Sequence, residues 1–435
     1  YIMENLISDN IKTLFNKIQD DSELEVMFNN YKKDNILNLH NYIDVLKYIK
    51  YRNLNDKLKL ELINNLDISY NYEEVTFNTY RITIDKLDNI NKIINGIENR
   101  NNSIIYSLLA SKIINKENDI FIIEKIKDPK KKIDFDEYDI RIRLSEEKSM
   151  NNEKIKPLVK LKDSDKKILF RFKQRLSLIL VDNKDYKISI DLTDVKTGDN
   201  IKSLLIQNSL YEVEIDLTVN NVSNTKKEKD KITKILLKEI INIKNVIEYN
   251  YYPLVNSKKK EIINHYNNLL QNTKKNLYSM NVVSLQSENI VDDLILNYSV
   301  TDKADGEHYA LLIYEKKIYL ISSNLDVKYS GIEAKDNTYD NTILDGELIY
   351  LKNKKFFFTA FDILYYKNKD IRNITSLEER INRLDDVIKN VLDSTFNIST
   401  YNKKYNIKNI IDYHDKEFDI YLKYINGLVC NENKY

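Results

Sequence analysis

The sequence predicts an α+β protein with an N-terminal antiparallel β-barrel tunnel, flanking helices and a second α+β domain after it. Three observations predict this: segments of alternating polarity in the first half, helical spacing beside them, and glycines placed in short motifs of the last third. With 435 residues, two or three domains are expected. We predict a barrel domain at 1–224, a helical connector at 225–280 that is part of the second domain, and the remainder of that domain at 281–435.

Five segments of the first half alternate between polar and apolar residues, so each has one charged or polar face, because side chains two apart in a strand point the same way. Two segments have acidic faces: Glu23 and Glu25 in Ser22–Phe28, and Glu212, Glu214 and Asp216 in Tyr211–Leu217. Two have basic faces: Arg141 and Arg143 in 139–144, and Arg171, Lys173 and Arg175 in 170–175. A fifth segment, 186–193, is mixed.

The separation of acidic from basic strands favours a closed barrel with a polar interior around a ligand. An ordinary half-exposed sheet would also have a charged outer face, and for any single strand this alternative stays open. An ordinary surface mixes signs within strands, however. Carboxylates would hold a divalent cation and basic side chains a polyphosphate, which favours metal-assisted attack of water on a terminal phosphate.

Apolar residues with helical spacing predict helices beside these strands. Residues 30–66 are predicted to be helical, first on Val45 and Ile49 and then on a second segment with Leu58 and Leu60. A lysine-rich stretch at 225–231 marks the predicted domain boundary, and an amphipathic helix is expected at 232–247. Residues 377–392 are predicted to form one further helix.

Three of only six glycines lie in short motifs of the last third. The motifs are Lys303-Ala304-Asp305-Gly306, Leu344-Asp345-Gly346-Glu347-Leu348 and Asn426-Gly427, and an apolar strand with one carboxylate, 358–366, comes between the second and the third. Lys303 could attack phosphorus if desolvation or a neighbouring cation lowers its pKa from about 10.4. For this motif alone, a solvated strand lysine is the alternative.

This order of motifs resembles the covalent nucleotidyltransferases, the superfamily of mRNA capping guanylyltransferases and ATP-dependent polynucleotide ligases, over about residues 300–430. The resemblance implies that Lys303 forms a lysyl-N-nucleoside monophosphate and that Glu347 contacts the nucleotide or its metal. It implies that Phe361, or otherwise Phe358, stacks on the base and that Asp362 supports the site. The remaining nucleotide-binding residues by motif position are Asp305, Gly306, His308 and Asn426.

Two positions depart from that pattern. His308 stands where the family often has an arginine that holds the ribose, and Asn426 stands where it has Glu or Asp. A neutral amide is a poorer ligand for a hard cation, which puts a metal contact at Asn426 in doubt. The Lys-x-Lys strand and the oligonucleotide-binding-fold lid of the family are not visible, so we expect part of a longer polypeptide that is impaired in nucleotidyl transfer on its own.

The first half resembles the triphosphate tunnel metalloenzymes, which include fungal and large-DNA-virus RNA 5′-triphosphatases. The resemblance implies that Glu23, Glu25, Glu212 and Glu214 are metal ligands, with Asp216 at the third position of the second motif. The basic residues match in kind, as triphosphate-binding residues: Arg141, Arg143, Arg171, Lys173 and Arg175. The two halves together resemble the large capping-enzyme subunit of poxviruses and related cytoplasmic DNA viruses.

This resemblance implies mRNA 5′ capping: removal of the γ-phosphate from 5′-triphosphate RNA, then transfer of GMP from GTP through Lys303, with Mg²⁺ or Mn²⁺ at both sites. RNA and GTP are the implied partners, and a methyltransferase domain, a stimulatory subunit and a viral RNA polymerase are further candidates. An ATP-dependent RNA or DNA ligase, which would not need the first half, and a noncatalytic scaffold of a capping complex are the alternatives.

Composition sets limits on location and partners. The net charge is +1, so no overall basic field favours RNA binding. The single cysteine, Cys430, excludes an intramolecular disulfide and fits a reducing, cytoplasmic compartment. No apolar run reaches the ~18 residues that suggest a membrane span.

Overall fold

The computed structural model describes residues 2–18, 22–29, 36–70, 78–96, 119–150, 153, 168–221, 226–248, 254–274, 276–278, 299–301, 306–350, 356–391, 394–395, 418–422 and 425–428, some by backbone alone. The chain divides into two compact units, Tyr1–Ile247 and Glu248–Tyr435. The functional assignment of the predicted segments 1–224, 225–280 and 281–435 stays a prediction. Among the described helices, none is both long and apolar enough to cross a membrane.

Eight strands of the first unit close into an antiparallel barrel, as predicted. They are β1 (Ser22–Phe28), β2 (Lys59–Tyr70), β3 (Asn78–Asp85), β4 (Ile120–Phe135), β5 (Ile140–Ser149), β6 (Ile168–Asp182), β7 (Tyr186–Gly198) and β8 (Leu210–Val219). Their order around the barrel is β1-β5-β4-β3-β2-β6-β7-β8, and β8 pairs with β1 to close it. All five segments predicted as strands coincide with strands of the barrel, except that Asp139 is a turn residue just before β5.

Helices cover the outside of the barrel. The described helices of this unit are α1 (Ile2–Phe15), α2 (Leu39–Asp56), α3 (Leu87–Gly96), α4 (Ile201–Ile206) and α5 (Lys226–Glu248). Ile90 of α3 and Leu204 of α4 join one cluster with the outward residues Leu66, Ile68 and Ile82. Each such buried side chain contributes roughly 1.5–3 kcal/mol, so the apolar core of this unit lies between barrel and helices, not inside the barrel.

The helix predicted at 232–247 is confirmed by α5, and the helix on Val45 and Ile49 by α2. The side chain of Asn38 caps α2 by accepting a hydrogen bond from the backbone N–H of Asn41. Lys57, in the left-handed region at φ 54°, follows its last turn.

The second helical segment predicted around Leu58 and Leu60 is wrong, because these residues lead into strand β2. Outward Leu66 and Ile68 are fully buried, while Asp67 between them faces the interior. This period of two was hidden because Ile63 falls on the inner face, and a polar residue, Asn64, follows it on the outer face. Strands β3 and β4 were likewise not predicted.

The second unit contains a mixed sheet between two helices. Its described strands are β9 (Ser299–Thr301), β10 (Glu307–Tyr314), β11 (Lys317–Ser322), β12 (Val327–Glu333), β13 (Thr342–Tyr350), β14 (Phe356–Tyr366), β15 (Lys369–Asp370), β16 (Ser394–Thr395), β17 (Phe418–Leu422) and β18 (Ile425–Leu428). The main sheet has the order β15-β14-β13-β10-β11-β12-β16; β17 adds parallel to β14, and β18 pairs with β9.

The two described helices of this unit are α6 (Asn256–Leu270) and α7 (Leu377–Val391), and α7 confirms the helix predicted there. Alternate residues of β10 face opposite helices. Leu311 and Ile313 cluster with Leu384 of α7, whereas Leu312 clusters with Tyr266 of α6. The α+β class predicted from the sequence is therefore confirmed in both units.

Candidate active sites

The barrel interior brings the two predicted acidic strands side by side. β1 pairs with β8, so that Glu25 lies directly opposite Asp216, and Met27 opposite Glu214. On the other side of β1, Glu25 lies opposite Arg143 of β5. The alternation that places Leu24 and Val26 against the outer core therefore turns the glutamates inward.

Lys125 of β4 joins the carboxylates of the first acidic strand. Its Nζ lies 2.7 Å from Glu23 Oε2, 2.9 Å from Glu25 Oε1 and 2.9 Å from Glu147 Oε1. Arg143 Nε also donates to Glu25 Oε2, at 2.7 Å. Burial acts to raise the pKa of both glutamates, but the net shift differs between them. For Glu25, Lys125 and Arg143 outweigh burial and hold its pKa below the usual range, whereas Glu23 keeps a raised pKa beside Glu25 and Glu147.

Arg175 of β6 is the matching cation on the second acidic strand. It lies 2.8 Å from Asp191 Oδ2 of β7, 3.6 Å from Asp216 and 3.8 Å from Glu214. Burial, followed by the neighbouring Glu25 and Glu212, raises the pKa of Glu214 to about 7. Burial and Asp191 raise the pKa of Asp216 well above its ordinary value.

Burial, together with an excess of acidic over basic side chains at β1, β7 and β8, holds the pKa values of Glu23, Glu214 and Asp216 above their ordinary range. Five carboxylates, those of Glu23, Glu25, Asp191, Glu214 and Asp216, are contacted there by three cations, Lys125, Arg143 and Arg175. Among the residues that the structure describes, one buried oxygen of Asp191, one of Asp216 and the hydroxyl of Thr193 find no hydrogen-bond partner. Oxygen donors with spare charge suit a hard divalent cation.

The donor set therefore fits a divalent metal by its chemistry. In the conformation described, however, the carboxylates are turned towards lysine and arginine. Within the described ranges, no three acidic, histidine or cysteine side chains are grouped so that they could hold a metal ion as they stand.

The five predicted basic residues all lie on the inward face, and each contacts a carboxylate. Beyond Arg143 and Arg175, Arg171 lies 2.7 Å from Glu212, Lys173 2.5 Å from Asp67, and Arg141 2.6 Å from Asp134. The interior residues that sequence reasoning missed include Asp67, Arg81, Lys125, Glu147 and Asp191. The alternation of polar and apolar residues around Arg81 in β3 could have predicted that Arg81 faces the interior.

In the second unit, Lys303 and Asp305 lie outside the described residues, as does the side chain of Asn426. The backbone beside them is described: Thr301 of β9 pairs with Ile425 of β18. The strand that leads to Lys303 therefore lies beside the strand that carries Asn426-Gly427.

The predicted nucleotide residues of β10, β13 and β14 lie close together. His308 is directly opposite Glu347, its Nε2 lies 2.6 Å from Asp345 Oδ1, and its ring stacks towards Phe361 at 6.3 Å between centroids. The hydrogen bond to Asp345 raises the pKa of His308. One buried oxygen of Glu347 has no hydrogen-bond partner within the described part of the chain, so it is a candidate acceptor for a ligand.

Phe358 is fully buried and belongs to the core cluster on the α7 side. It also packs against the second motif glycine, because a Cβ on Gly346 would lie 2.5 Å from Phe358 Cζ and 2.7 Å from the Thr359 carbonyl oxygen. Gly346 is therefore required for close packing, and Phe361 is favoured over Phe358 as the residue that stacks on a base.

Asp362 is held by Arg380 of α7, a residue in none of the motifs. Arg380 Nε lies 2.8 Å from Asp362 Oδ1, and its Nη2 donates to Oδ2 at 3.1 Å. Asp362 is directly opposite Asp345 in the register of β13 and β14. Two facing carboxylates are therefore each paired with a basic side chain, Asp345 with His308 and Asp362 with Arg380. The Arg380–Asp362 pair depends on where α7 packs, so it could not be predicted from the motifs.

The chain thus combines a β-barrel with a polar, charged interior and a second α+β unit with a cluster of polar and aromatic side chains on β10, β13 and β14. Residues 250–425 match the family described as mRNA capping enzyme, catalytic domain. The chain is also 30% identical over 414 residues to the probable mRNA-capping enzyme of Acanthamoeba polyphaga mimivirus, which covers 93% of this chain and 33% of that protein. The resemblance to viral capping enzymes is confirmed, and the chain spans about a third of the length of this relative.

Two solved structures are similar to part of this chain. The RNA triphosphatase domain of the trifunctional mimivirus mRNA capping enzyme is 24% identical, with a TM-score of 0.40, and the match covers 56% of this chain and 95% of that one. The S. pombe Pct1 RNA triphosphatase, in complex with the Spt5 CTD, is 13% identical, with a TM-score of 0.32, and the match covers 55% and 89%.

Proposed function

We propose that this chain carries out two successive steps of mRNA 5′ capping, as an RNA 5′-triphosphatase and as a GTP:RNA guanylyltransferase. The observation that carries the proposal is the pairing of the carboxylate strands β1 and β8 inside a barrel that also bears inward cations, in one chain with a capping-enzyme catalytic domain. A ligase needs no such barrel.

In the first unit, Glu23, Glu25, Glu212 and Glu214 would hold the divalent ion, Mg²⁺ or Mn²⁺, with Asp216 beside them. When bound, the ion supplies a positive charge that polarises the terminal phosphate. The inward cations would hold the phosphate oxygens and offset the charge that develops on them; they are Arg141, Arg143, Arg171, Lys173 and Arg175. Water attacks the γ-phosphorus, and the bond between that phosphorus and the β–γ bridging oxygen breaks. The products are RNA 5′-diphosphate and phosphate.

In the second unit, the neutral amine of Lys303 would attack the α-phosphorus of GTP. An N–P bond forms, the bond to the β-phosphate oxygen breaks, and pyrophosphate leaves. The terminal oxygen of the RNA diphosphate then attacks the same phosphorus and releases the lysine. His308, Glu347 and Phe361 line this site, with Asp305, Gly306 and Asn426 assigned to the nucleotide by their motifs, and Asp362 supports it through Arg380.

The choice of GTP over ATP rests on the barrel and on the family, not on base contacts. RNA and GTP are accordingly the proposed substrates and partners. A cytoplasmic location, a downstream methyltransferase domain, a stimulatory subunit and a polymerase contact remain predictions.

The test is incubation of the full-length polypeptide with Mg²⁺ and α-labelled GTP or ATP in parallel, followed by denaturing electrophoresis. We expect an acid-stable adduct from GTP that Lys303→Ala abolishes; Lys303→Arg should also abolish it, because a guanidinium stays protonated. Release of γ-phosphate from triphosphate RNA should persist in both variants and be lost in Glu214→Ala, which should still form the adduct.

Label from ATP alone would convert the assignment to a ligase. Loss of both activities in any one of these variants would contradict two separate sites.

A further inference from the structure

Among the described residues of the barrel, Lys125 is the buried cation that contacts the most carboxylates at hydrogen-bond distance. It lies directly opposite Glu147 in the register of β4 and β5, and its side chain reaches past β5 to β1. Its Nζ is 2.7–2.9 Å from one oxygen each of Glu23, Glu25 and Glu147, and its side chain is 8% exposed. Neither the motifs nor the family resemblance assigns this residue a role.

The ammonium lies between two of the four proposed metal ligands. Glu23 and Glu25 are both proposed ligands, and Lys125 bridges them with hydrogen bonds to each. A divalent cation held by Glu23 and Glu25 would use oxygens of the same two carboxylates, at about 2.0–2.6 Å. Two cations cannot share these oxygens closely without strong repulsion, so metal binding at Glu23 and Glu25 requires the Lys125 ammonium to move.

Arg143 does not present the same conflict. It contacts Glu25 alone among the proposed ligands at this position, and it uses the opposite oxygen, Oε2, from the one that Lys125 contacts. A guanidinium is rigid and is suited to stay on one carboxylate. A lysine is a point charge on a flexible four-carbon stem that can swing to another acceptor.

We propose that Lys125 is an internal counter-ion that holds Glu23 and Glu25 until the divalent metal replaces it, and that its ammonium then passes to the phosphate oxygens of the substrate. The inference rests on the proposed triphosphatase site. It makes Lys125 a competitor of the metal in the substrate-free protein and a phosphate-binding residue in the loaded one. Metal and triphosphate should therefore bind cooperatively.

The test is a titration of Mn²⁺ into the chain, followed by calorimetry and by the loss of the free Mn²⁺ resonance signal. Lys125→Met should bind Mn²⁺ roughly tenfold more tightly or better, because apparent affinity falls with the fraction of molecules that is competent to bind. Its affinity for tripolyphosphate in the presence of Mn²⁺ should fall. Lys131→Met is the matched control: Lys131 is on the same strand and contacts Glu146, 2.8 Å away on the outer face, so Mn²⁺ affinity should not change.

Lys125→Met leaves three carboxylates without their shared cation and could fold poorly. In that event, the proposal is tested by Mn²⁺ binding to Lys125→Arg and by the change in melting temperature that Mn²⁺ produces. The arginine variant keeps the charge and should bind Mn²⁺ no more tightly than the wild type, while Mn²⁺ should raise the melting temperature of Lys125→Met by more than that of the wild type.

Unchanged or weaker Mn²⁺ binding by Lys125→Met, with no larger thermal shift, would overturn the counter-ion role while leaving the proposed function intact. A wild-type chain in which neither Mn²⁺ nor Mg²⁺ binds or supports phosphate release would instead refute the proposed site itself.

Discussion

Replacement of Arg380 by methionine should destabilise the second unit strongly. The Arg380–Asp362 pair has two nitrogen–oxygen contacts, and its side chains are only 11% and 13% exposed. Asp345 lies directly opposite Asp362 and is 4% exposed, so the substitution leaves two buried carboxylates facing each other with His308 as the one counter-charge known among the described residues.

Removal of one partner from a buried ion pair costs about 3–5 kcal/mol. For a unit of this size, each kcal/mol lowers the melting temperature by roughly 2–4 °C, so we expect a fall of about 6–20 °C. Differential scanning calorimetry is the suitable assay, because it can resolve a transition for each unit. The transition of the barrel unit should stay in place.

Arg383→Met provides the control on the same helix. Arg383 pairs with Glu379, and their side chains are 28% and 52% exposed, so its loss should cost about 1 kcal/mol or less. The double variant Arg380→Met with Asp362→Leu should recover most of the lost stability, since no buried charge is then left unpaired. Equal shifts from Arg380→Met and Arg383→Met would refute this account of the pair.

Two further predictions concern a glycine and a carboxylate. Gly346→Ala should lower the urea midpoint of the second unit by the equivalent of about 1–3 kcal/mol, because its Cβ would meet the Phe358 ring and the Thr359 carbonyl; an unchanged midpoint would show that the strands can separate at no cost. Glu214 has a folded pKa of about 7, above its ordinary 4.5, so its contribution to stability is complete below pH 4.5 and is lost as the pH rises to about 7. In chelator-containing buffer, Glu214→Gln should therefore lose less thermal stability than the wild type over that pH window, and parallel curves would contradict the raised pKa.

Alternation made β1 and β8 predictable, since carboxylates recur at every second residue over Glu23–Glu25 and Glu212–Asp216 and the residues between them are apolar. The same rule failed for β2, where Ile63 and Asn64 exchange the expected faces. Lys125 was missed because β4 begins with the apolar run Ile120–Ile123, which hides its alternation. A strand can be recognised from its period of two only when one face is consistently polar and the other consistently apolar.

The contacts between motifs were harder to predict than the motifs themselves. His308 and Asp345 are 37 residues apart, and their contact depends on the register of β10 and β13. Arg380 reaches Asp362 only because α7 packs on one face of the sheet. Register and helix docking are set by tertiary packing, so a single sequence shows that these residues exist but not that they touch.

The barrel has its apolar packing outside and its charged side chains inside. In strands such as β1, alternate residues are therefore under different constraints. In β1, the even-numbered residues Leu24 and Val26 are constrained by packing in the core, whereas the odd-numbered residues Glu23 and Glu25 are constrained by the proposed chemistry of the interior. Under the proposed function, a change at one of these odd positions would alter metal binding without opening a cavity in the core. Such a scaffold can drift from one phosphate substrate to another by single substitutions, while the helices around it keep its architecture.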